Sequence, residues 1–322
     1  MNSRDLRIVF MGTPEFAAHI LKKLIEEKYN IVGVVTAPDK PAGRGQKIQE
    51  PEVKKYAQTQ NLKILQPEKL KDPKFVDELK ALKADIQVVI AFRMLPEIIW
   101  QMPVHGTFNL HASLLPQYRG AAPINWAIIN GENKTGLTSF LIDKEIDTGK
   151  IIAKKKIDIE FTDTAGSLHD KMIMPGAELV IETIDTIAQG KLKAIPQEMF
   201  IEQIIQLKAA PKIFKNDCRI NWENEGLGIY NFIRGMSPFP CSWTELHKPG
   251  DEKPLSLKIY EAEWISEPHQ KVHGSLFIIK NKLFVAVMGG YIKLKSIQLE
   301  GKKRLLAEEF LNGFKFDHHY LK

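Results

Sequence analysis

The sequence predicts an α/β protein that begins with a doubly wound sheet and ends in a β-rich part. Continuous apolar runs over residues 6–11, 31–36 and 86–92 alternate with segments of helical spacing, as in a parallel sheet covered on both faces. From residue 255 onward, short strand-like runs are separated by Gly, Asn and Lys. The chain has 322 residues, more than a typical single domain, so two domains are expected.

Local periodicity places the individual elements of the N-terminal part. Each expected strand is a short buried run, and each expected helix repeats apolar residues every three or four positions. The expected strands cover residues 6–11, 31–36, 64–65, 86–92, 108–111, 138–142 and 150–157. The expected helices cover residues 15–28, 74–83, 122–130 and 167–187.

The composition of the chain changes after residue 189. Residues 190–215 combine Gly, Pro and Lys, a composition that indicates a linker with basic residues. The strands expected beyond it cover residues 255–259, 274–279, 283–287 and 291–297, with the spacing of a small β-barrel. We therefore expect a first domain over residues 1–189, a linker over 190–207 and a second domain over 208–322.

Composition and charge narrow the class of protein. With 44% hydrophobic and 26% charged residues, no apolar run of 18 residues and no signal-peptide core, the chain is expected in the cytoplasm without a membrane partner. Residues 208–322 hold 18 Lys and Arg against 13 Asp and Glu, whereas residues 1–207 hold 27 against 26. A basic C-terminal part suits a nucleic-acid partner, and a solvated basic face is the alternative.

Two residue patterns argue against common cofactor sites. Cys218 and Cys241 are the two cysteines, too few and too far apart for a disulfide framework or a zinc site, so no metal is expected. Gly12-Thr13-Pro14 follows the first strand, where a dinucleotide fingerprint would stand. It lacks the glycine spacing of that fingerprint, and Pro14 has no N–H to offer a phosphate, which disfavours a nicotinamide enzyme.

The candidate catalytic residues are Asn109, His111 and Asp147. Asn109 and His111 alternate at the end of a predicted strand, so their side chains point to the same face. A carboxamide, an imidazole and a carboxylate are the groups that hold an oxyanion, move a proton and orient the imidazole. No Ser or Cys stands at a spacing that suggests an activated nucleophile, so the attacking group is expected to be the substrate's own amine. The alternative is a structural histidine beside a chance asparagine.

Longer motifs place this triad in a known family. The motifs are residues 8–17 (IVFMGTPEFA), 37–45 (APDKPAGRG), 108–116 (FNLHASLLP), 118–124 (YRGAAPI), 147–149 (DTG), 210–213 (APKI), 220–222 (INW) and 237–240 (SPFP). Together they make nearly the whole chain resemble the folate-dependent formyltransferases. The first two motifs and the C-terminal ones narrow the resemblance to the members that act on methionyl-tRNA.

The resemblance implies a fold and an activity. It implies a Rossmann-like formyltransferase domain followed by an OB-like β-barrel that binds tRNA. It also implies transfer of the formyl group of 10-formyltetrahydrofolate to the α-amine of initiator methionyl-tRNA, in support of translation initiation, by a monomer. In this scheme Asn109 and the imidazolium of His111 stabilise the oxyanion, while Asp147 stabilises the charge of His111 or relays a proton through water.

The resemblance further implies two binding regions. Phe92, Arg93, Met94 and Leu95, together with residues 113–116 (Ser113, Leu114, Leu115 and Pro116), would line the folate slot. The members acting on tRNA commonly have Tyr-Gly where this chain has Phe92-Arg93, and the purine-pathway members tend to have Met-Arg. For Phe92, Met94 and Leu95, ordinary core packing is the alternative.

The second region is the basic loop over residues 37–47. Its Arg44 is expected to contact the acceptor end of tRNA, since a guanidinium pairs with phosphate and stacks on bases. Lys40 and Lys47 lie on the same loop, and a solvated turn is the alternative for all three. Two other functions remain open: a formyltransferase for a small amine or sugar nucleotide, and a non-catalytic RNA-binding protein, which would leave the triad unexplained.

Overall fold

We describe the protein from a computed structural model. It describes residues 2–42, 47–201, 206–250, 253–314, 316 and 319–322. Within these ranges, no helix is both long enough and apolar enough to cross a membrane. The chain forms two compact units, each made of three chain segments. The first unit comprises Met1–Gly120, Thr135–Ile157 and His169–Ala209, and the second comprises Ala121–Lys134, Asp158–Leu168 and Ala210–Lys322.

Residues up to Ala188 form an alternating series of strands and helices. The strands are β1 (Ile8–Gly12), β2 (Ile31–Val35), β3 (Lys40–Ala42), β4 (Lys47–Gln49), β5 (Ile64–Leu65), β6 (Ile86–Ile90), β7 (Thr107–His111), β8 (Arg119–Gly120), β9 (Lys134–Leu141) and β10 (Ile151–Asp158). The helices are α1 (Glu15–Glu26), α2 (Glu52–Thr59), α3 (Pro73–Ala81), α4 (Glu97–Trp100), α5 (Pro123–Ile129) and α6 (Ala165–Ala188).

A central sheet of seven strands organises the first unit. Its order is β10-β9-β7-β6-β1-β2-β5. The pairs from β7 through β6, β1 and β2 to β5 are parallel, and β9 then adds antiparallel to β7. The chain runs from β1 outward to one side and returns to β6 on the other, so the connections reverse direction between β1 and β6. This is a doubly wound sheet, and such sheets bind ligands at the carboxyl ends of their strands.

Local sequence accounts for these elements. All five residues of β1 and of β6 are buried, as expected for strands covered by helices on both faces. Helix α1 buries Phe16, Ile20 and Leu24 along one stripe. Helix α3 begins with Pro73 after Asp72, whose side chain accepts a hydrogen bond from the backbone N–H of Lys74, a typical N-terminal cap.

The C-terminal elements include a closed antiparallel sheet. They are β11 (Ala209–Ala210), α7 (Gly226–Met236), β12 (Ser242–His247), β13 (Leu255–Ser266), β14 (Leu276–Ile279), β15 (Lys282–Val287), β16 (Gly290–Leu299), β17 (Leu305–Leu306), α8 (Ala307–Leu311) and β18 (Tyr320–Leu321). The strand order runs β14-β15-β16-β13-β12-β18, with β17 added to β16. The two edges meet, because Ser275 pairs with Tyr320 and the N–H of Leu321 donates to the carbonyl of Gly274 at 3.1 Å. The result is a small barrel.

The predicted fold class is confirmed, including the doubly wound sheet and the C-terminal barrel. Each expected strand and helix appears near its predicted bounds, except that the strand expected over residues 255–259 continues to Ser266 as β13. Several short elements were not predicted, among them the β3–β4 hairpin and helices α2, α4 and α7. Helix α7 buries Gly226, Asn231 and Arg234 as well as apolar residues. Its buried face therefore does not follow the apolar pattern from which we infer helices.

Candidate active site

Asn109 and His111 lie at the carboxyl end of the parallel strand β7. Asn109 pairs with Val89 on β6 and with Phe140 on β9, and His111 pairs with Thr138 on β9. Because alternate residues of a strand point to the same face, both side chains lie on one side of the sheet. Their place at the carboxyl end of the parallel strands is where this type of sheet binds its ligands.

The imidazole of His111 faces an oxygen atom from each of its two ring nitrogens. The ring is buried, with 6% of the residue exposed. Nε2 lies 2.8 Å from the carbonyl oxygen of Tyr118, which can only accept, so Nε2 carries a hydrogen and donates. Nδ1 lies 3.7 Å from Oδ2 of Asp147. Each ring nitrogen of His111 therefore faces an acceptor oxygen, one from the backbone and one from a carboxylate.

Asp147 reaches His111 from a tight turn between β9 and β10. Its backbone has a φ of +57°, a left-handed conformation that aspartate adopts more readily than most residues. Oδ2 also accepts a hydrogen bond from the backbone N–H of Gly120 at 2.9 Å. A side chain at Gly149 would place its Cβ 1.7 Å from the carbonyl oxygen of Leu141. The Asp-Thr-Gly motif therefore needs its glycine so that the chain after Asp147 can pass close to β9.

The side-chain oxygen of Asn109 has an unsatisfied hydrogen-bonding capacity. Oδ1 is buried and has no hydrogen-bond partner in the described part of the chain. A buried acceptor without a donor costs about 1–3 kcal/mol, and native proteins rarely tolerate this without a functional reason. An N–H of a bound molecule would satisfy this oxygen.

Sequence reasoning did not identify Gln197, which contacts the same turn. Gln197 opens a short 3₁₀ helix (Gln197–Phe200), and its side chain is fully buried. Its Nε2 donates to the carbonyl oxygens of Asp147 at 2.8 Å and Gly149 at 2.9 Å. Nothing in the local sequence marks this glutamine, which lies in the segment interpreted as a linker. Arg119, which belongs to the motif at residues 118–124, donates to Oε1 of Gln197.

The segment after β6 combines exposed and buried groups. Met94 is 71% exposed, Phe92 is half-buried and Leu95 is buried in the core that β1 and β6 share. The guanidinium of Arg93 donates to the carbonyl oxygens of Pro67 at 2.7 Å and Glu68 at 2.9 Å. Burial lowers the pKa of Arg93 below its ordinary value, but a guanidinium stays charged at neutral pH. Arg93 therefore ties this segment to the chain that follows β5.

The segment after His111 is a compact turn. The hydroxyl of Ser113 donates to the carbonyl oxygen of Gln117 at 2.6 Å, which stabilises the turn. The N–H of Leu115 donates to the hydroxyl of Thr138, which in turn donates to the carbonyl oxygen of Ser113. Leu115 and Pro116 are buried and Leu114 is half-buried. This turn carries the carbonyl of Tyr118 that orients His111.

The basic loop is described at both of its ends. Strands β3 and β4 pair as an antiparallel hairpin. Nζ of Lys54, on α2, lies 2.5 Å from a carboxylate oxygen of Asp39 and 2.6 Å from one of Glu50, so one ammonium group joins the two ends of the hairpin. Lys40 lies in β3. Arg44 and the side chain of Lys47 lie outside the described residues.

Within the described ranges, no group of three or more His, Cys, Asp or Glu side chains is arranged to hold a metal ion.

The fold, the Asn-x-His strand end and the Asp-Thr-Gly turn define a formyltransferase, and the chain belongs to that family. The family model described as formyl transferase matches residues 6–184, and the model of its C-terminal domain matches residues 212–315. Among full-length relatives, the methionyl-tRNA formyltransferase of Parabacteroides distasonis is 54% identical over 317 residues, which cover 98% of each chain. The methionyl-tRNA formyltransferase of Flavobacterium johnsoniae is 52% identical over 311 residues, which cover 97% of each chain.

Solved structures share the fold at lower identity. HypX from Aquifex aeolicus, solved with tetrahydrofolic acid, superposes with a TM-score of 0.64 at 17% identity. The match covers 95% of this chain and 47% of HypX. An N-formyltransferase from Helicobacter canadensis, in complex with folinic acid and dTDP-3-aminofucose, has a TM-score of 0.64 at 20% identity and covers 90% and 98% of the two chains.

Proposed function

We infer that this protein transfers the formyl group of 10-formyltetrahydrofolate to the α-amine of initiator methionyl-tRNA, and so supports translation initiation. The observation that carries the proposal is the placement of Asn109 and His111 at one strand end, with Nδ1 of His111 3.7 Å from the carboxylate of Asp147 in a neighbouring turn. The identity of 54% over nearly the full length of a methionyl-tRNA formyltransferase supports the choice of acceptor.

The reaction joins an amine to a formyl carbon. The amine nitrogen forms a bond to the formyl carbon, the bond from that carbon to the folate nitrogen breaks, and one proton passes from the amine to the leaving nitrogen. No residue of the chain becomes covalently attached in this scheme. The protein therefore acts by orienting the two substrates, stabilising developing charge and moving the proton.

Each of the three residues has a distinct role in this proposal. Asn109 uses its carboxamide N–H to stabilise the oxygen that becomes negative, and its unpaired Oδ1 accepts an N–H of the incoming amine. His111, held by the carbonyl of Tyr118, contributes positive charge beside the same oxygen. Asp147 stabilises that charge and is the group to which the proton of the amine passes, directly or through water.

The folate slot is proposed along the segment after β6 and the turn after β7. Met94 and Phe92 offer apolar surface that suits a flat heteroaromatic ring. Leu95 supports them from the core, and Arg93 anchors the segment through two carbonyl oxygens. Residues 113–116 (Ser113, Leu114, Leu115 and Pro116) form the facing part of the slot, next to His111.

The tRNA contacts are proposed at two places. Arg44, with Lys40 and Lys47 on the same loop, contacts the acceptor end, and the basic residues of 208–322 bind the body of the tRNA through phosphates. In functional terms, residues 1–189 carry the catalytic groups, 190–207 link the two parts and 208–322 provide the RNA platform. We also propose that the protein acts as a monomer in the cytoplasm.

A comparison of acceptors tests the proposal. Purified protein is supplied with 10-formyltetrahydrofolate and either methionyl-tRNA or glycinamide ribonucleotide, and formylated product is measured. We expect rapid formylation of methionyl-tRNA and none of the ribonucleotide. Equal or preferred use of the small amine would contradict the proposed acceptor, and no transfer to either would contradict the proposed chemistry.

A further inference from the structure

A buried glutamine outside the motifs of the family resemblance contacts the turn that carries Asp147. Gln197 stands at the start of a 3₁₀ helix, in the segment that the sequence presents as a linker, and its side chain is fully buried. Two residues earlier, Ile195 exchanges both of its backbone hydrogen bonds with Ile151 of β10, each at 2.8 Å. The segment that presents Gln197 is therefore anchored to the central sheet.

The hydrogen-bonding capacity of this side chain is completely used. A primary amide has two N–H donors, and those of Gln197 reach the carbonyl oxygens of Asp147 and Gly149. Its Oε1 accepts from Nε of Arg119 at 3.0 Å and from Nη2 at 2.7 Å. Arg119 thus fixes the orientation of the carboxamide, since a rotation of the amide by 180° would place its NH₂ group against the guanidinium.

The two carbonyl groups that Gln197 binds lie on either side of Thr148, whose hydroxyl donates to Oδ1 of Asp143 within the same turn. Residues 143–146 are exposed, and Asp147 occupies a left-handed conformation that most residues other than glycine avoid. Fixing these carbonyls fixes the backbone from which the Asp147 carboxylate reaches Gly120 and His111.

We propose that Gln197 is a positioning residue for Asp147. It holds the backbone of the Asp-Thr-Gly turn, so that the carboxylate stays at the distance from His111 that catalysis requires. This inference rests on the proposed role of Asp147 in formyl transfer. It assigns to the supposed linker a direct part in building the active site, and it gives Arg119 the supporting task of orienting Gln197.

The discriminating variant is Gln197→Glu. Glutamate keeps the length of the side chain and its contact with Arg119, but its ionised carboxylate cannot donate to the two carbonyl oxygens. We expect kcat to fall about 10- to 100-fold, since a displacement near 1 Å of a catalytic group has effects of this size. KM for the folate substrate should stay within about twofold of the wild type, because its proposed slot does not include the turn.

A double-mutant cycle with Asp147→Asn separates positioning from general stability. If Gln197 acts through Asp147, the effect of Gln197→Glu on the single-turnover rate should shrink to less than twofold in the Asp147→Asn background. An equal loss in both backgrounds, or a single variant with wild-type kcat, would overturn the inference. If Asp147→Asn itself has wild-type activity, the proposed catalytic role fails instead, which is a distinguishable result.

Two further variants control for folding. Thr183→Val removes a buried hydroxyl of the same unit that hydrogen-bonds Ser139 and the carbonyl of Leu179, and it should lower the melting temperature while leaving kcat unchanged. If Gln197→Glu does not fold, Arg119→Met tests the positioning role instead. This variant removes the groups that orient the Gln197 carboxamide and leaves the carboxamide itself in place. A loss of kcat above threefold that disappears in the Asp147→Asn background supports the inference, and an unchanged kcat overturns it.

Discussion

The carboxylate of Asp147 lies 3.7 Å from Nδ1 of His111, while the other ring nitrogen of His111 is held by the carbonyl of Tyr118 at 2.8 Å. The imidazole of His111 thus lies between a backbone carbonyl oxygen and a carboxylate oxygen. The carboxylate in turn is held by the N–H of Gly120. This arrangement gives a direct prediction for each of the three proposed catalytic residues.

His111→Ala and Asp147→Asn should leave the protein folded and lower kcat by about 10²–10⁴, the usual range for a positioned acid or base. The measurement is steady-state formylation of methionyl-tRNA, with circular dichroism to check the fold. Glu145→Gln is the matched control, because it changes an exposed carboxylate on the same turn. Near-normal turnover in both active-site variants would contradict the catalytic assignment.

Asn109→Ala should lower kcat by about 10²–10³, as expected for the loss of one hydrogen-bond donor to an oxyanion. The same change removes a buried oxygen that has no partner in the described part of the chain. The free energy of unfolding, measured in urea, should therefore fall little or even rise. A variant that is strongly destabilised but fully active would show that Asn109 is structural.

Arg44→Ala should impair the use of methionyl-tRNA while leaving the affinity for a folate analogue almost unchanged. The reason is that the guanidinium is proposed to bind the acceptor end of the tRNA, away from the folate slot. KM for methionyl-tRNA and the Kd of the analogue are the two measurements. Lys55→Ala, on the exposed face of α2, serves as the control and should change neither. If Arg44→Ala lowers the affinity for the folate analogue as much as it impairs the use of methionyl-tRNA, the loop belongs to the folate slot instead.

Reversing charge on the C-terminal part should weaken tRNA binding and its dependence on salt. Lys212 and Lys215 are exposed, and the double change to Glu should reduce the slope of log Kd against log salt by about 1–2, since fewer counterions are released. The control is the same double change at Lys63 and Lys80, two exposed lysines of the first unit. If both pairs give the same slope as the wild type, residues 208–322 are not the RNA platform.

The two cysteines should resist thiol reagents in the folded protein. Burial raises the pKa of Cys241 to about 11 and also raises that of Cys218, so both stay protonated near pH 8. A disulfide reagent at pH 8 should label neither within minutes, and both after unfolding in urea. The folded state holds the Cys241 proton more tightly than the unfolded chain, so this contribution to stability is complete below pH 9 and is lost between about pH 9 and 11. Rapid labelling of the native protein would contradict the burial of the thiols.

The positions of most strands and helices, and the candidate catalytic residues, could be predicted from local periodicity and short motifs. Strand and helix positions follow from apolar spacing, because each element must bury one face or both. The shared orientation of Asn109 and His111 follows from the two-residue repeat of a strand. Both inferences need only residues that are close together in the chain.

The remaining features of the site and of the barrel depend on residues that are distant in the chain. The approach of Asp147 to His111, the binding of its turn by Gln197 and the closure of the barrel where Ser275 pairs with Tyr320 all join separate segments. A buried glutamine and a short terminal strand have no periodicity that would reveal them. Their partners are chosen by the packing of the whole unit, where each buried polar group must find a hydrogen bond and each sheet edge must be covered.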